Sequence, residues 1–262
     1  MRLAIVMPVV LQNERILVMT LDAIAHLKTV HEPTLYIICN RLHICTPETL
    51  YTQAKSRFSG EVKVVHEAGV ERSVAGAWNK GCQLAVDAGN DFIAIVANDT
   101  QLRHDCLDQL VEYGKSHETA LWSGISYNDR NEIDASVQTD GADFSCFMTR
   151  PSTLRQFGMF DPNFRPAYFE DNDYYARVVL GGGRCRVVHA AQFFHHGSMT
   201  IKEDPEMAQH VSFWFEKNRQ YFARKWGVQV PENSTEGVIS RYYRHPFNDE
   251  SKALSWFPGD PY

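Results

Sequence analysis

Three observations predict an α/β fold built on a mostly parallel mixed sheet flanked by helices. Over the first half of the chain, short β-branched runs alternate with stretches of helical periodicity, the pattern of repeated strand–helix units. One run, Phe92-Ile93-Ala94-Ile95-Val96-Ala97, is apolar throughout, as a central strand covered on both faces should be. It ends abruptly in Asn98-Asp99-Thr100, and in such open sheets ligands sit beyond the carboxyl ends of the strands.

Composition narrows the function classes. The 262 residues, 44% hydrophobic and 22% charged, are an ordinary globular mixture with room for one large domain or two small ones. A formal net charge of −6 argues against a nucleic-acid binder driven by a broad basic face. The short basic run Lys217, Arg219, Arg224 and Lys225 reads as the solvated side of a helix. Cys39, Cys45, Cys82, Cys106, Cys146 and Cys185 form no CxxC pair, so zinc-ribbon and thioredoxin-type chemistry is unsupported and buried, reduced thiols are expected. The apolar start is too short for a signal peptide, and no run reaches the roughly 18 apolar residues of a membrane span. A soluble, cytoplasmic protein is the expectation.

Residues 3–7 read as the first strand, closed by Pro8, and residues 14–30 set Leu17, Leu21, Ile24 and Leu27 at helical spacing. A strand at 34–39 carries Asn40 at its carboxyl end, a second ligand-facing position. Pro47 near its start marks 47–58 as a helix, and 61–66 is a third strand. A loop from residue 69 enters a helix running to about residue 88, whose Ala75, Gly76, Ala77, Gly81 and Ala85 permit close approach to the sheet or to a ligand. Gly89-Asn90 stop it before the central strand. Asn98-Asp99-Thr100 then have two readings, the cap of a helix at 102–116 or a ligand-facing strand end. A strand at 120–125, a polar loop at 128–143, a short apolar piece at 144–149 and a helix at 151–157 follow. Glu170-Asp171-Asn172-Asp173 open a helix at 174–180, broken by Gly181-Gly182-Gly183. Strands are expected at 184–189 and 192–194, and a long amphipathic helix at 205–226 with Phe213, Trp214, Tyr221 and Phe222, stopped by Gly227. The remainder lacks periodicity, dividing the chain into a domain at 1–227 and an extension at 228–262 packed on its surface.

Glu170, Asp171 and Asp173 at a helix start are either an acidic amino-terminal cap or the seat of a general base with a tuned pKa. His195-His196 are either two ordinary histidines or part of a site. The order and spacing of all these pieces is more specific than any one of them.

In that order the chain resembles the family 2 glycosyltransferases of the GT-A, nucleotide-diphospho-sugar transferase-like fold, from about residue 4 to residue 227. The pieces are Ile5-Val6-Met7-Pro8-Val9, Ser73-Val74-Ala75-Gly76-Ala77-Trp78-Asn79-Lys80-Gly81, Ala97-Asn98-Asp99-Thr100, Phe157-Gly158-Met159-Phe160-Asp161, Phe169-Glu170-Asp171-Asn172-Asp173, His195-His196-Gly197-Ser198, and Asn218 with Lys225-Trp226-Gly227. The resemblance implies a metal-dependent inverting transfer from a nucleotide-sugar donor to a hydroxyl of a glycan or glycoconjugate. It makes Asp99 a ligand of Mn2+ or Mg2+, completed by His195 as first choice or His196 as second. Asp171 becomes the catalytic base, Glu170 holds the acceptor, and Asp173 caps or braces the helix. Pro8, Val9 and Asn40 would line the nucleoside pocket, with Ser73, Asn79, Asn98 and Asp99 also on the donor side.

Three positions depart from the family pattern. Ala97 stands where many relatives place a first metal carboxylate, Asn40 where an aspartate often reads the base, and Ser73 where glycine is frequent. The competing readings are a non-catalytic GT-A-like nucleotide or glycan binding module, and a transferase acting on protein or nucleic acid, the last disfavoured by the acidic charge.

Overall fold

The computed structural model describes residues 1–67, 72–128, 132–197, 199–203, 205–227 and 230. The elements run β1 (Arg2–Leu11), α1 (Glu14–Ala25), β2 (Glu32–Leu42), α2 (Pro47–Lys55), β3 (Glu61–His66), α3 (Val74–Asp87), β4 (Phe92–Val96), β5 (Thr100–Leu102), α4 (Cys106–Ser116), β6 (Leu121–Ser126), β7 (Gln138–Asp140), β8 (Cys146–Thr149), α5 (Pro151–Phe157), α6 (Glu170–Leu180), β9 (Cys185–His195), α7 (Met199–Lys202) and α8 (Pro205–Trp226). One mixed sheet has the order β3-β2-β1-β4-β8-β6-β9-β5, with β7 also on β9. The half β3-β2-β1-β4 is parallel. Beyond it β8 runs antiparallel to β4 and β6, β9 is parallel to β6, and β5 and β7 are antiparallel to β9.

Every residue of β4 is buried. Phe92, Ala94 and Val96 join the core on one face, with residues of α1, α2 and α4, while Ile93 and Ile95 join the other, with α3, α5 and α6. An apolar side chain on alternate faces of a doubly covered strand is therefore what the unbroken run encodes. The small residues of α3 pack on the sheet: a Cβ built on Gly81 would fall 2.2 Å from Val6 Cγ1. A third core of Phe164, Phe169, Ala176, Phe222, Trp226 and Val230 seats α8 against the loop before α6.

Several boundaries differ from expectation. The helix expected from residue 102 starts at Cys106, because residues 100–102 form β5 and pair with Phe193, Phe194 and His195. Asn98 and Asp99 thus lie between β4 and β5, Thr100 opens β5, and none of the three caps a helix. The loop expected at 128–143 contains β7, which the antiparallel pairing to β9 holds in place. The two strands expected at 184–194 are one, with a register shift that sets Ser123 opposite Val187 but Ile125 opposite Gln192. Helix α6 begins at Glu170, so the acidic residues lie within it. The cysteines are free thiols, buried except for half-buried Cys45. No described helix is long and apolar enough to cross a membrane. Apart from Val230, the extension expected at 228–262 lies outside the described residues.

Candidate active site

A cleft of about 560 Å³ opens at the carboxyl ends of β1, β2 and β4, with the start of α6 and the first turns of α8 as its far wall. Pro8, Val9, Asn40, Asn98, Asp99, Glu170, Asp171 and His195 all line it. Those residues come from segments as much as 187 positions apart in sequence, counted from Pro8 to His195.

Asp99 is tied to β9 by the β5 pairing that puts Thr100 opposite His195. Its Oδ1 lies 3.2 Å from His195 Nε2, and its Oδ2 accepts from the Met199 N–H at 3.2 Å. The other imidazole nitrogen, Nδ1, lies 3.1 Å from Ser145 Oγ, and the Asn128 side chain holds the His195 backbone at both N–H and C=O. Burial alone would raise the Asp99 pKa, but the hydrogen bond and charge of His195 more than reverse it and hold the carboxyl below its usual range. Burial pulls His195 down, and the same bond to Asp99, with the Asp99 and Asp143 charges, lifts it above the ordinary histidine value. The pair thus favours carboxylate and imidazolium, and a cation binding there must displace that proton.

His196 takes no part in the cleft. Its backbone N–H donates to Asp99 C=O at 2.9 Å, while its exposed ring lies edge-on to Phe194. It follows the last residue of β9 and, unlike His195, is not among the residues that line the cleft. Among the described residues no group of three His, Cys, Asp or Glu side chains is placed to hold a metal, and Ala97 contributes no donor. Asp99 and His195 supply one oxygen and one nitrogen. That set could hold a divalent cation only if further oxygen ligands came from outside the described side chains.

At the opposite wall the three carboxylates part company. Asp173 is fully buried, with Oδ2 accepting from Arg177 Nε at 3.1 Å and Oδ1 from Trp226 Nε1 at 3.0 Å and Lys225 Nζ at 2.8 Å. Lys225 also pairs with Asp161 at 2.6 Å, and Tyr221 donates to the same Asp161 oxygen at 2.7 Å. Lys225 is therefore no member of a solvated basic face, and Arg219 is paired with Glu216 at 2.5 Å; Lys217 and Arg224 are the members of the run that keep exposed side chains with no ion pair among the described residues. Glu170 and Asp171 face the cleft. Burial, then the charge of Asp171, pushes the Glu170 carboxyl well above its ordinary value, and its Oε2 has no hydrogen-bond partner among the described residues. Burial also raises Asp171, against the N–H of Asn172 donating to its Oδ1 at 2.8 Å.

The turn that delivers these two is strained. Tyr168 and Phe169 both have φ of 76°, in the left-handed region, which costs on the order of 1–3 kcal/mol for each such residue. Asn218 of α8 holds the turn: its Nδ2 donates to the carbonyls of Arg165, Ala167 and Tyr168 at 3.0, 2.8 and 3.2 Å, and its Oδ1 accepts from Arg165 N–H at 3.2 Å.

Two expected donor-side residues serve the scaffold. Ser73 caps α3, accepting from Gly76 N–H at 3.1 Å and donating to Pro162 C=O at 3.1 Å. Asn79 clamps the backbone of Phe160, donating at 2.7 Å and accepting at 2.9 Å. Neither lines the cleft. Asn98 does, yet its Nδ2 donates to buried Thr20 Oγ1 at 2.9 Å and ties the strand end to α1. Sequence reasoning missed Arg72, Asp143 and Ser145, which line the cleft, and assigned no role to Asn218. Asp143, at the polar edge of the apolar β8 run as Asp99 is at the edge of β4, carried a usable signal.

No family model matches the chain, and no curated protein matches it in sequence. Solved structures match in shape. GalNAc-T7 with UDP, GalNAc and Mn2+ gives a TM-score of 0.62 at 13% identity, over 97% of this chain and 56% of that one. Mannosyltransferase PcManGT from Pyrobaculum calidifontis, with GDP-Man and Mn2+, gives 0.61 at 15% identity, over 97% of this chain and 72% of that one. S. aureus TarS gives 0.57 at 12% identity, over 93% of this chain but 43% of the TarS chain. This chain thus spans less than half the length of that relative in shape. Likeness at such identity speaks to architecture.

Proposed function

With the GT-A fold as premise, we propose that this chain is an inverting glycosyltransferase of the family 2 type, moving a sugar from a nucleotide-sugar donor to a hydroxyl of a glycan or glycoconjugate. One observation carries the reading: Asp99 with His195, and Glu170 with Asp171, line a single cleft at the carboxyl ends of the parallel strands. Pro8 and Val9 offer an apolar wall to a nucleoside. Asp99 and His195 would hold Mn2+ or Mg2+, which when bound neutralises charge on a diphosphate leaving group. Asp171 takes the acceptor proton as the acceptor oxygen bonds to the anomeric carbon, on the face opposite the departing diphosphate. Its raised pKa makes it a stronger base than an exposed aspartate. Glu170, whose carboxyl burial pushes well above its ordinary value, would when protonated donate a hydrogen bond to the acceptor through Oε2, which has no partner among the described residues. The buried free thiols support a cytoplasmic setting.

The test is transfer itself: purified chain, a panel of nucleotide sugars with Mn2+ and mixed glycan acceptors, and detection of released nucleoside diphosphate. Release dependent on acceptor and lost in Asp171→Asn supports the reading. A second reading, a non-catalytic binding module, is favoured by Ala97 and the two-ligand metal set; tight nucleotide binding without release under every condition would select it.

A further inference from the structure

We propose that Asp143 is a further catalytic residue, whose carboxylate stabilises the positive charge that develops on the sugar ring while its bond to the diphosphate breaks. The inference rests on the glycosyltransferase reading of the cleft and adds a residue with no part in holding the diphosphate or taking the acceptor proton.

The carboxylates that line the cleft are those of Asp99, Asp143, Glu170 and Asp171. Asp99 is paired with His195 at 3.2 Å, Glu170 has its pKa pushed well up by burial, and Asp171 is the base of the proposed reaction. Asp143 has neither an ion pair among the described residues nor a place in that scheme. The chain fixes it on both sides. Its N–H donates to Oγ of fully buried Ser123 at 2.8 Å, its C=O accepts from the Cys146 N–H at 3.3 Å, and the next ring, Phe144, stacks on Trp78 with centroids 6.2 Å apart. Oδ1 accepts from the Ser145 N–H at 2.9 Å. Oδ2 has no partner among the described residues, so one end of a held carboxylate is left for what enters the cleft.

Asp143 is within reach of both ends of the reaction. Ser145 Oγ lies 3.1 Å from His195 Nδ1, which places Asp143 two residues along the chain from the corner that would meet the diphosphate. Toward the other wall its charge reaches Asp171: burial acts most strongly on both Asp171 and His195, and the Asp143 carboxylate raises both as well. In an inverting transfer the departing and entering oxygens lie on opposite faces of the anomeric carbon, so that carbon sits between the two walls that Asp143 reaches.

The old C–O bond breaks with its electron pair left on the diphosphate oxygen, the acceptor oxygen supplies the pair for the new bond, and its proton passes to Asp171. Between these events the ring oxygen and the anomeric carbon share a positive charge, as in other glycosyl chemistry. Asp143 exchanges no atom or electron. While the sugar is neutral, the Asp143 and Asp171 carboxylates repel each other across it, and that repulsion is relieved only as positive charge appears. An interaction stronger in the transition state than with the bound donor raises turnover without tightening binding. A charge already held in place acts without reorganising.

The experiment is single-turnover release of nucleoside diphosphate from UDP-glucose, UDP-GlcNAc and GDP-mannose by the full chain, with Mn2+ and mixed glycan acceptors, repeated on Asp143→Asn and Asp143→Ala beside calorimetric affinities for the donors and for UDP and GDP. Asparagine keeps the side-chain shape and an oxygen for the Ser145 N–H, but not the charge. The expected result is that both substitutions slow the chemical step by about 10²–10³-fold, the range for removing one preorganised electrostatic contact, with donor affinity nearly unchanged. Full turnover in Asp143→Asn beside a loss in Asp143→Ala would make the group a hydrogen-bonding or packing partner and overturn the charge role. A loss of donor affinity as large as the loss of rate would make it a ground-state sugar contact, and a loss of UDP and GDP affinity would route its effect through His195; either overturns the inference and leaves the transferase reading standing. An unsubstituted chain that releases nothing from any of the three donors ends both. Should one variant fail to fold, the rate and affinity of the other decide.

Discussion

Asp171 and Asp173 stand two positions apart on α6 with opposite surroundings. Asp173 has both oxygens bonded to buried donors, whereas Asp171 faces the cleft with the N–H of its neighbour as a partner. Asp171→Asn keeps the shape and removes the base, so turnover should fall roughly 10²–10⁴-fold, the range for loss of a general base, with donor affinity nearly unchanged. Asp173→Asn should lower the melting temperature first. Turnover and donor titration of the two variants check this, and an active Asp171→Asn beside a folded, inactive Asp173→Asn would reverse the roles. Glu170 makes a pH prediction. Its folded-state pKa is raised, so burial costs stability increasingly as pH climbs above the ordinary glutamate value of about 4.3. Glu170→Gln should therefore gain stability over the unsubstituted chain as pH rises from about 4 to 7, read as urea midpoints at each pH; a gap that shrinks over that span contradicts the assignment. At this scale the sequence made Asp99, Asp171 and His195 legible, because each ends or opens a regular element. Ser73 and Asn79 looked equally suited, but their side chains bond to the backbones of Pro162 and Phe160, more than 80 positions away, which local pattern does not encode.

Among elements, α8 shows best why amphipathic periodicity under-reads a helix. Its span was legible to the residue, yet Lys225 counted as a solvated charge when it bridges Asp161 and Asp173. Buried ion pairs are invisible to a hydrophobic pattern because each partner looks polar by itself. The start of α4 was misplaced for a related reason: residues 100–102 are strand only because β9 lies beside them. Helix α8 also carries Asn218, whose amide holds three carbonyls of the strained turn before α6. Asn218→Ala should cost about 1–3 kcal/mol, the penalty for leaving buried polar groups unmet, and should lower kcat more than it changes donor affinity. Denaturant titration and steady-state kinetics measure both; a variant that loses stability with kcat intact would confine Asn218 to a structural role.

For the molecule as a whole, the cleft joins a half-sheet that follows simple strand–helix alternation to a half that does not. The parallel half was read nearly element by element, since it follows strand–helix alternation and β1, β2 and β3 pair in sequence order, with β4 joining β1 as a run apolar on both faces. The other half depends on pairings of β9 that local pattern does not encode. Metal dependence belongs to this scale, since Asp99 and His195 come one from each half. Exhaustive chelation should abolish transfer and Mn2+ restore it, while Asp99→Ala should weaken nucleoside diphosphate binding in Mn2+ and change it little without metal. Full activity after chelation would remove the cation from the mechanism.

The place of β9, between β6 and β5, has a consequence for the order of folding. Its partners at residues 121–126 and 100–102 lie some 60 to 95 positions upstream of the residues they pair with, whereas β1, β2 and β3 meet across short crossovers. Contacts of long sequence separation form late, because the entropy of closing the intervening chain must be overcome first. The amides of Ile5 and Ile37 should thus gain hydrogen-exchange protection during refolding before those of Phe193 and His195, with nucleotide binding appearing only in the later phase. Pulse-labelled exchange during dilution from urea resolves the two groups, and simultaneous protection of all four amides would mean that the sheet closes in one step.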